Sequence, residues 1–244
     1  MGDIHSFSDK LWTANSKGLL KEWSISEQKV YKDWGQIHNG RIVQMKLTPD
    51  GQTMLTADET GVLKQWSVVS KRLVWDYGKV HCGAVSCLKI TPHGAYAFTG
   101  ADFGELKMWC LKSMKLYKNF AGHKKSISAI EIGVNGYFIY VASGKIGYLK
   151  QWNVKTMALE KDFGKIHEHR ISVLESDPNG TWLFSADDSG ILKQWSSPHM
   201  KLCKNYGRVH TDSINGINIF PGTSLMITTT VERGYMVKIF FPNR

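Results

Sequence analysis

Gly190-Ile191-Leu192-Lys193-Gln194-Trp195 is one of five copies of a short stretch on which the reading of the whole chain turns. The others run Gly18 to Trp23, Gly61 to Trp66, Gly104 to Trp109 and Gly147 to Trp152. Their tryptophans, at 23, 66, 109, 152 and 195, are 43 residues apart every time. A sixth, degenerate copy reads Val237-Lys238-Ile239-Phe240. A fixed period of this length marks a repeat architecture, in which each unit is one supersecondary motif that cannot bury its apolar face alone.

The second unit shows the motif. Arg72 to Tyr77 is a short strand-like run, and Gly78-Lys79-Val80-His81 turns the chain. Val85, Leu88 and Ile90 mark the next strand, which ends at the turn Thr91-Pro92-His93-Gly94. Ala95 to Thr99 is a third run, and Asp102-Phe103-Gly104 leads into the fourth, Leu106-Lys107-Met108-Trp109. Short runs of β-branched and aromatic residues broken by Gly, Pro and Asp predict an antiparallel meander, and no segment carries the 3.6-residue apolar period of a helix. The order recurs along the chain. An aromatic precedes each turn (Trp34, Tyr77, Phe120, Phe163, Tyr206), and the turn histidines are His38, His81, His123, His167 and His210. Four residues beyond each histidine stands an aliphatic: Ile42, Val85, Ile127, Ile171 and Ile214. Four-stranded sheets that are apolar on both faces are buried by stacking radially, each covering the next.

This repeat resembles the WD-repeat β-propeller family over essentially the whole chain. The resemblance is carried by the turn histidine, the Thr48-Pro49-Asp50-Gly51 turn, the hydroxyl of Thr56 and the Leu-Lys-Gln-Trp strand. It implies an all-β fold: one propeller domain over 1–244 with six four-stranded antiparallel blades, units ending near Trp23, Trp66, Trp109, Trp152, Trp195 and Phe240, and incomplete terminal blades. It also implies a hydrogen-bonded network of indole, hydroxyl and imidazole in each blade: Trp66, Thr56 and His38; Trp109, Thr99 and His81; Trp195, Ser185 and His167. Departures from the family pattern set further expectations. Lys17, Thr60, Phe103, Ile146 and Ser189 occupy the position of the family's turn acid, with Asp58 and Asp187 two residues earlier, so the acid end of the network is expected to be lost. The fourth unit has Ala142 in the hydroxyl slot, with Ser143 adjacent, and its His123 comes one residue early. Only Pro242-Asn243-Arg244 follow Phe241, so the last blade is expected to lack an outer strand and to leave an open edge beside Phe240, open to strand addition by another chain or a second copy, or else the sequence is a piece of a longer protein. Near the start, either an inner strand is missing or Ile4 to Ser8 is a clipped one.

The composition, 42% hydrophobic and 21% charged, is that of a soluble globular protein, and no apolar run approaches the roughly 18 residues of a membrane helix. Cys82, Cys87, Cys110 and Cys203 have neither metal-site nor disulfide-framework spacing, which places the chain in a reducing, intracellular compartment, the cytoplasm or nucleus. Of the net charge of +10, much repeats with the unit. Lys21, Lys64, Lys107, Lys150, Lys193 and Lys238 all stand two before the aromatic, and are expected to lay their stems on apolar surface with their heads in water.

The histidines lie one per unit and cannot converge on an ion. With no phosphate loop, GxSxG or HExxH motif, no cofactor, metal or catalytic residue is assigned. Lys46, Lys89, Glu131, Glu175 and Asn218, eight beyond each histidine, are expected to face a solvated central channel. Binding is assigned to positions that break the repeat and to the loop rim. Trp75 replaces the lysine found at 32, 118, 161 and 204. The rim holds Arg41, Glu59, Phe103, Lys124, Lys125, Lys145, His169, Arg170, Asp188 and Arg233. The function expected by analogy with the family is a non-enzymatic scaffold that binds proteins or peptides. The alternative is an acidic-ligand binder (phosphopeptide, anionic lipid or nucleic acid) acting through Lys124, Lys125, Lys145, Arg170 and Arg233.

Overall fold

The structure, a computed structural model, describes residues 4–222, 225–230 and 236–240. All its regular structure is β, with no helix among the described residues. The chain falls into two compact units, Met1–Lys124 and Lys125–Arg244, each holding three antiparallel sheets. In the first unit, β1 (Ile4–Phe7), β2 (Lys10–Ala14), β3 (Leu19–Ser24) and β4 (Lys29–Gln36) form one sheet. The next is β5 (Ile42–Leu47), β6 (Thr53–Asp58), β7 (Val62–Ser67) and β8 (Arg72–Lys79), and the third is β9 (Val85–Ile90), β10 (Tyr96–Ala101), β11 (Leu106–Cys110) and β12 (Lys115–Phe120). The second unit holds β13 (Ile127–Ile132), β14 (Phe138–Ser143), β15 (Gly147–Asn153) and β16 (Ala158–His167), then β17 (Ile171–Ser176), β18 (Trp182–Asp187), β19 (Ile191–Ser196) and β20 (Leu202–Arg208). Its last sheet is β21 (Ile214–Ile219), β22 (Met226–Thr230) and β23 (Met236–Phe240). These are the six blades of a β-propeller fold, each a meander in chain order; five have four strands and the last has three among the described residues. Ile4–Phe7 is the clipped inner strand of the first sheet, so of the two readings of the N-terminal segment the lost strand is excluded.

Within each unit the core lies between successive sheets. Trp12, Leu20, Ile42, Met45, Met54 and Trp66 form one apolar cluster of the first two sheets, and Leu55, Leu63, Val85, Leu88 and Trp109 one of the second and third. The second unit repeats this with Tyr140, Leu149, Leu174 and Trp195, and then with Phe184, Leu192, Ile214, Ile217 and Met226. The first strands of successive sheets in a unit approach one another, while the fourth strands lie outside and are mostly exposed. The reason is compositional. The first and second strands are mostly apolar or small, with isolated polar positions such as Lys46, Glu131 and Asp58, whereas the fourth carries charge along its exposed length.

The recurrent lysines are built in more deeply than their composition suggested. Lys64 Nζ donates to the Ile37 carbonyl at 2.9 Å, Lys107 to Val80 at 2.5 Å and Lys193 to Ile166 at 2.6 Å; Lys238 does the same to Val209. The ammonium heads therefore tie the third strand to the peptide just before the turn histidine, and are not simply in water. A second matching occurs on the outer strands. Trp34 Nε1 donates to the Glu22 carboxylate at 3.2 Å, Tyr77 Oη to Gln65 at 2.7 Å and Tyr206 Oη to Gln194 at 2.9 Å. Phe120, with no polar atom to satisfy, stands at the corresponding position of the third sheet, opposite Leu106, its ring 6.1 Å from that of Phe98. Glu22 is fully buried, and a buried carboxylate needs compensation; Lys10 at 2.8 Å and Lys71 at 3.6 Å, one from each of two neighbouring sheets, supply it.

The glycine that opens each Leu-Lys-x-Trp stretch joins one sheet to the next. Gly190 has φ +83, and its carbonyl accepts from the Val209 amide at 2.8 Å. A Cβ there would lie 1.9 Å from the His210 carbonyl oxygen, and one at Gly61 2.3 Å from that of His81. Gly190→Ala is therefore expected to lower the melting temperature sharply, because both the backbone conformation and the steric room are lost; a shift of under about 2 °C would show that the turn relaxes freely. Trp66→Ala removes a buried ring and its hydrogen bond to Thr56, and is expected to cost about 3–5 kcal/mol in denaturant unfolding.

Candidate functional site

Each turn histidine enters at the start of a sheet, where its ring is drawn beneath the loop by partners on the second and third strands. In the β5–β8 sheet, Trp66 Nε1 donates to Thr56 Oγ1 at 2.9 Å, and Thr56 Oγ1 lies 2.7 Å from His38 Nε2. His38 Nδ1 is 2.9 Å from Asp58 Oδ2. One assignment of protons satisfies every group. The threonine hydroxyl gives its single hydrogen to Nε2, and a neutral imidazole gives its Nδ1 hydrogen to the aspartate. The β17–β20 sheet repeats this with Trp195, Ser185, His167 and Asp187 at 2.8, 2.7 and 2.9 Å. In the β9–β12 sheet, Trp109, Thr99 and His81 are linked at 2.9 and 2.7 Å.

The acid end of the network is present, contrary to the expectation from the family's turn position. Asp58 and Asp187 stand two residues after the hydroxyl on the same strand, so the period of two brings both side chains to one face. That spacing was the signal in the sequence. Each acid also holds the turn that follows: Asp58 Oδ1 accepts from the Thr60 and Val62 amides and the Thr60 hydroxyl, and Asp187 Oδ1 from Ser189 and Ile191 in the same way. In the β9–β12 sheet Ala101 occupies this slot, and Glu105 reaches in from the turn just before β11 instead, 3.2 Å from His81 Nδ1. A shallow groove lined by Lys79, His81, Cys82, Glu105 and Lys107 opens beside it. Burial holds the His81 imidazole below its usual range, against the opposing pull of Glu105.

Two further expectations change. In the fourth sheet the register places Val141, not Ala142, opposite Lys150, the slot that Thr56 and Ser185 hold opposite Lys64 and Lys193. The one-residue shortening that brought His123 forward persists through β14 and is made up in the turn after Ser143. Glu131, expected on a solvated wall, is buried, and its carboxylate accepts from the Ser176 amide of the next sheet at 3.3 Å. Lys46, Lys89 and Glu175 are half-buried and Asn218 is exposed.

Above the histidines, the rim residues separate into two kinds. Arg41 and Glu59 pair across their loops at 3.7 Å, and Arg170 and Asp188, in the corresponding places of the fifth sheet, at 3.5 Å. Asp188 also accepts from Ser213 at 2.9 Å, tying the loops of two successive sheets. Phe103, Lys124, Lys125, Lys145 and His169 are exposed. Phe103 is the most conspicuous, 69% accessible with its ring edge over Gly83. Lys125 Nζ lies over the Tyr148 ring at 5.8 Å. Arg233 lies outside the described residues. On the outer strand of the second sheet, Trp75 is 48% accessible beside exposed Leu73 and Val74. Among the described residues no group of three or more His, Cys, Asp or Glu side chains is placed to hold a metal ion, and no helix is long and apolar enough to cross a membrane.

The two aspartates make acid stability a direct readout of the network. Burial pushes each carboxyl up, but donation from the histidine, the neighbouring hydroxyl and the turn amide outweighs it and holds both at about 2. A depressed carboxylate contributes stability that is fully present above the unfolded value near 3.8 and is lost as pH falls through the folded one. Unfolding free energy is therefore expected to fall between about pH 4 and pH 2 by about 2 kcal/mol per acid. Denaturant titrations of the Asp58→Asn/Asp187→Asn variant are expected to lack that limb; an unchanged limb would assign it to other groups.

A family model described as "WD domain, G-beta repeat" matches residues 161–196. No curated protein sequence matches the chain significantly. The matched segment contains His167, Ser185, Asp187 and Trp195, which is one complete network, together with the Gly190 turn. The same strand order recurs in the other sheets and the same lysine tie in three of them, so the matched segment and the six-bladed fold together support a WD-repeat β-propeller.

Proposed function

We propose that the protein is a non-enzymatic interaction scaffold that works inside the cell and binds other proteins or peptides through its loop rim. WD-repeat propellers generally serve as such scaffolds, and loops on a rigid framework are where binding resides. The observation that carries the reading is Phe103: a large aromatic, more than two-thirds accessible, on a turn whose neighbours are held by Glu105 and His81. Aromatic residues and arginine are enriched at interfaces, and a side chain displayed on a fixed turn loses little entropy on docking. The four free thiols accord with a reducing compartment.

The reading for acidic ligands has weaker support, because Arg170 is already paired with Asp188. A Phe103→Ala/Arg170→Ala variant is expected to melt with the parent and to lose its partners in affinity capture from cell extract; full retention would sink the rim as the docking face. Capture that disappears steeply with added salt would move the reading to an acidic ligand. Trp75→Lys, which restores the lysine of the other repeats, is expected to leave the melting temperature within about 1 °C while weakening any partner that docks on the outer strand; a large melting shift would show that the ring is packed.

A further inference from the structure

Between the β13–β16 and β17–β20 sheets, at the end away from the histidine turns, lies a pocket of about 180 Å³. Two breaks in the repeat make the room. In three sheets the first residue after the inner strand is Thr48, Thr91 or Asp177. Its side chain accepts from the amide that opens the second strand, Thr53 at 3.0 Å, Tyr96 at 3.1 Å and Trp182 at 2.5 Å. Gly133 holds that place in the fourth sheet and has no side chain. In the four other complete sheets the residue just after the third strand is aliphatic: Ile25, Val68, Leu111 and Val154. Val68 and Leu111 are buried in the apolar clusters of the first unit. Ser197 stands there in the fifth sheet, its amide donating to the Thr181 carbonyl as the Val68 amide does to Gln52.

A third break makes the inner end polar. Tyr140 stands where the other sheets carry Trp12, Leu55, Phe98, Phe184 and Ile227, none with a hydroxyl. It is buried, with its Oη 3.0 Å from Ser197 Oγ. Gln151 Nε2 donates to the Pro198 carbonyl at 3.3 Å and so holds the turn that carries the serine. Whichever hydroxyl donates, the Ser197 oxygen keeps a lone pair for a further donor. The Phe138 and Pro198 rings make the walls apolar, and no residue lining the pocket is charged. The dimensions and the chemistry select the occupant. An apolar cavity of about 150 Å³ admits benzene, so this one takes a single ring. A charge brought here would lose its water without a partner. One acceptor at the inner end of apolar walls suits a ring with one hydroxyl, whereas a sugar would set its remaining hydroxyls against Phe138 and Pro198. Val134, 42% accessible, and Tyr137, 60% accessible and next to Phe138 in the chain, offer apolar surface to a polypeptide on either side of that ring.

We propose that this pocket binds the side chain of a tyrosine from a partner polypeptide, its ring against Phe138 and Pro198 and its phenol hydrogen donated to Ser197 Oγ. The choice of a polypeptide partner rests on the scaffold reading; the site itself does not involve the rim. The probe is N-acetyltyrosinamide, added to the whole 244-residue chain while the Phe138, Tyr140 and Ser197 amides are followed by chemical shift. Low-millimolar binding that moves these amides is expected. N-acetylphenylalaninamide is expected to bind about five- to tenfold more weakly, for want of one hydrogen bond. Phosphotyrosine and glucose are expected to leave the amides where they are. Ser197→Ala keeps the room and removes the acceptor, so the two amide probes are expected to bind it alike. Gly133→Thr restores the residue of the second and third sheets, and a Cβ at Gly133 meets nothing closer than 3.5 Å. That variant is expected to melt with the parent and to bind the tyrosine probe about tenfold or more weakly. The proposal is overturned if the tyrosine probe moves none of these amides at about 20 mM, if the phenylalanine probe binds as tightly, or if Gly133→Thr folds and binds like the parent. Binding of glucose in place of the tyrosine probe overturns it too and makes the occupant a sugar. The Phe103→Ala/Arg170→Ala variant is expected to keep the probe response. Rim-dependent capture that fails while the probe binds sinks the rim reading alone, and capture that persists while the probe does not bind sinks this one alone.

Discussion

An indole hydrogen, a hydroxyl, an imidazole and a carboxylate are buried together at one end of the second and fifth sheets, and none can be left without a partner. In low dielectric an unmet polar group costs as much as a lost hydrogen bond or more. The sequence Trp to Thr or Ser, to His, to Asp uses each hydrogen once. Because the four groups come from two strands and the entering turn, satisfying them fixes the register of those strands and the position of the loop above them. Rigidity of the displayed loops is a consequence of this buried chain.

The strand order was legible in the sequence because its elements repeat: the aromatic and the glycine-to-tryptophan stretch keep phase over five units, and the turn histidine slips by one residue in the fourth alone. Trp66, Thr56 and His38 were legible for the same reason. Asp58 and Asp187 were hidden in plain view, since the family pattern directed attention to a turn position two residues later. Glu105 was not legible, because it reaches the histidine from the far side of the turn after Ala101 replaces the acid. Spacing along a strand reveals a face, but a substitute arriving from a turn leaves no periodic trace.

The lysines show the opposite error. A cation recurring at a solvent-facing register looks like a surface ornament. Its reach to a backbone carbonyl 27 residues away in sequence makes it a tether. Part of the large positive charge is thus committed to architecture, which weakens any inference from net charge to nucleic acid or membrane. The arginines of the rim divide likewise, since Arg41 and Arg170 each face an acid from the opposing loop.

The glycine peptide that accepts from the following histidine turn, at Gly18, Gly61 and Gly190, ties the start of one sheet's third strand to the turn that opens the next sheet. The natural module boundary therefore does not coincide with the end of the fourth strand. A gene duplication or an excised fragment that begins at the first strand of a sheet leaves its histidine turn without the peptide that holds it. One that begins at the preceding glycine carries its own latch. Growth of such a chain by whole periods is then favoured when the cut falls just ahead of Gly-x-Leu-Lys-x-Trp, and the stretch that defines the repeat is also the seam along which it can be copied.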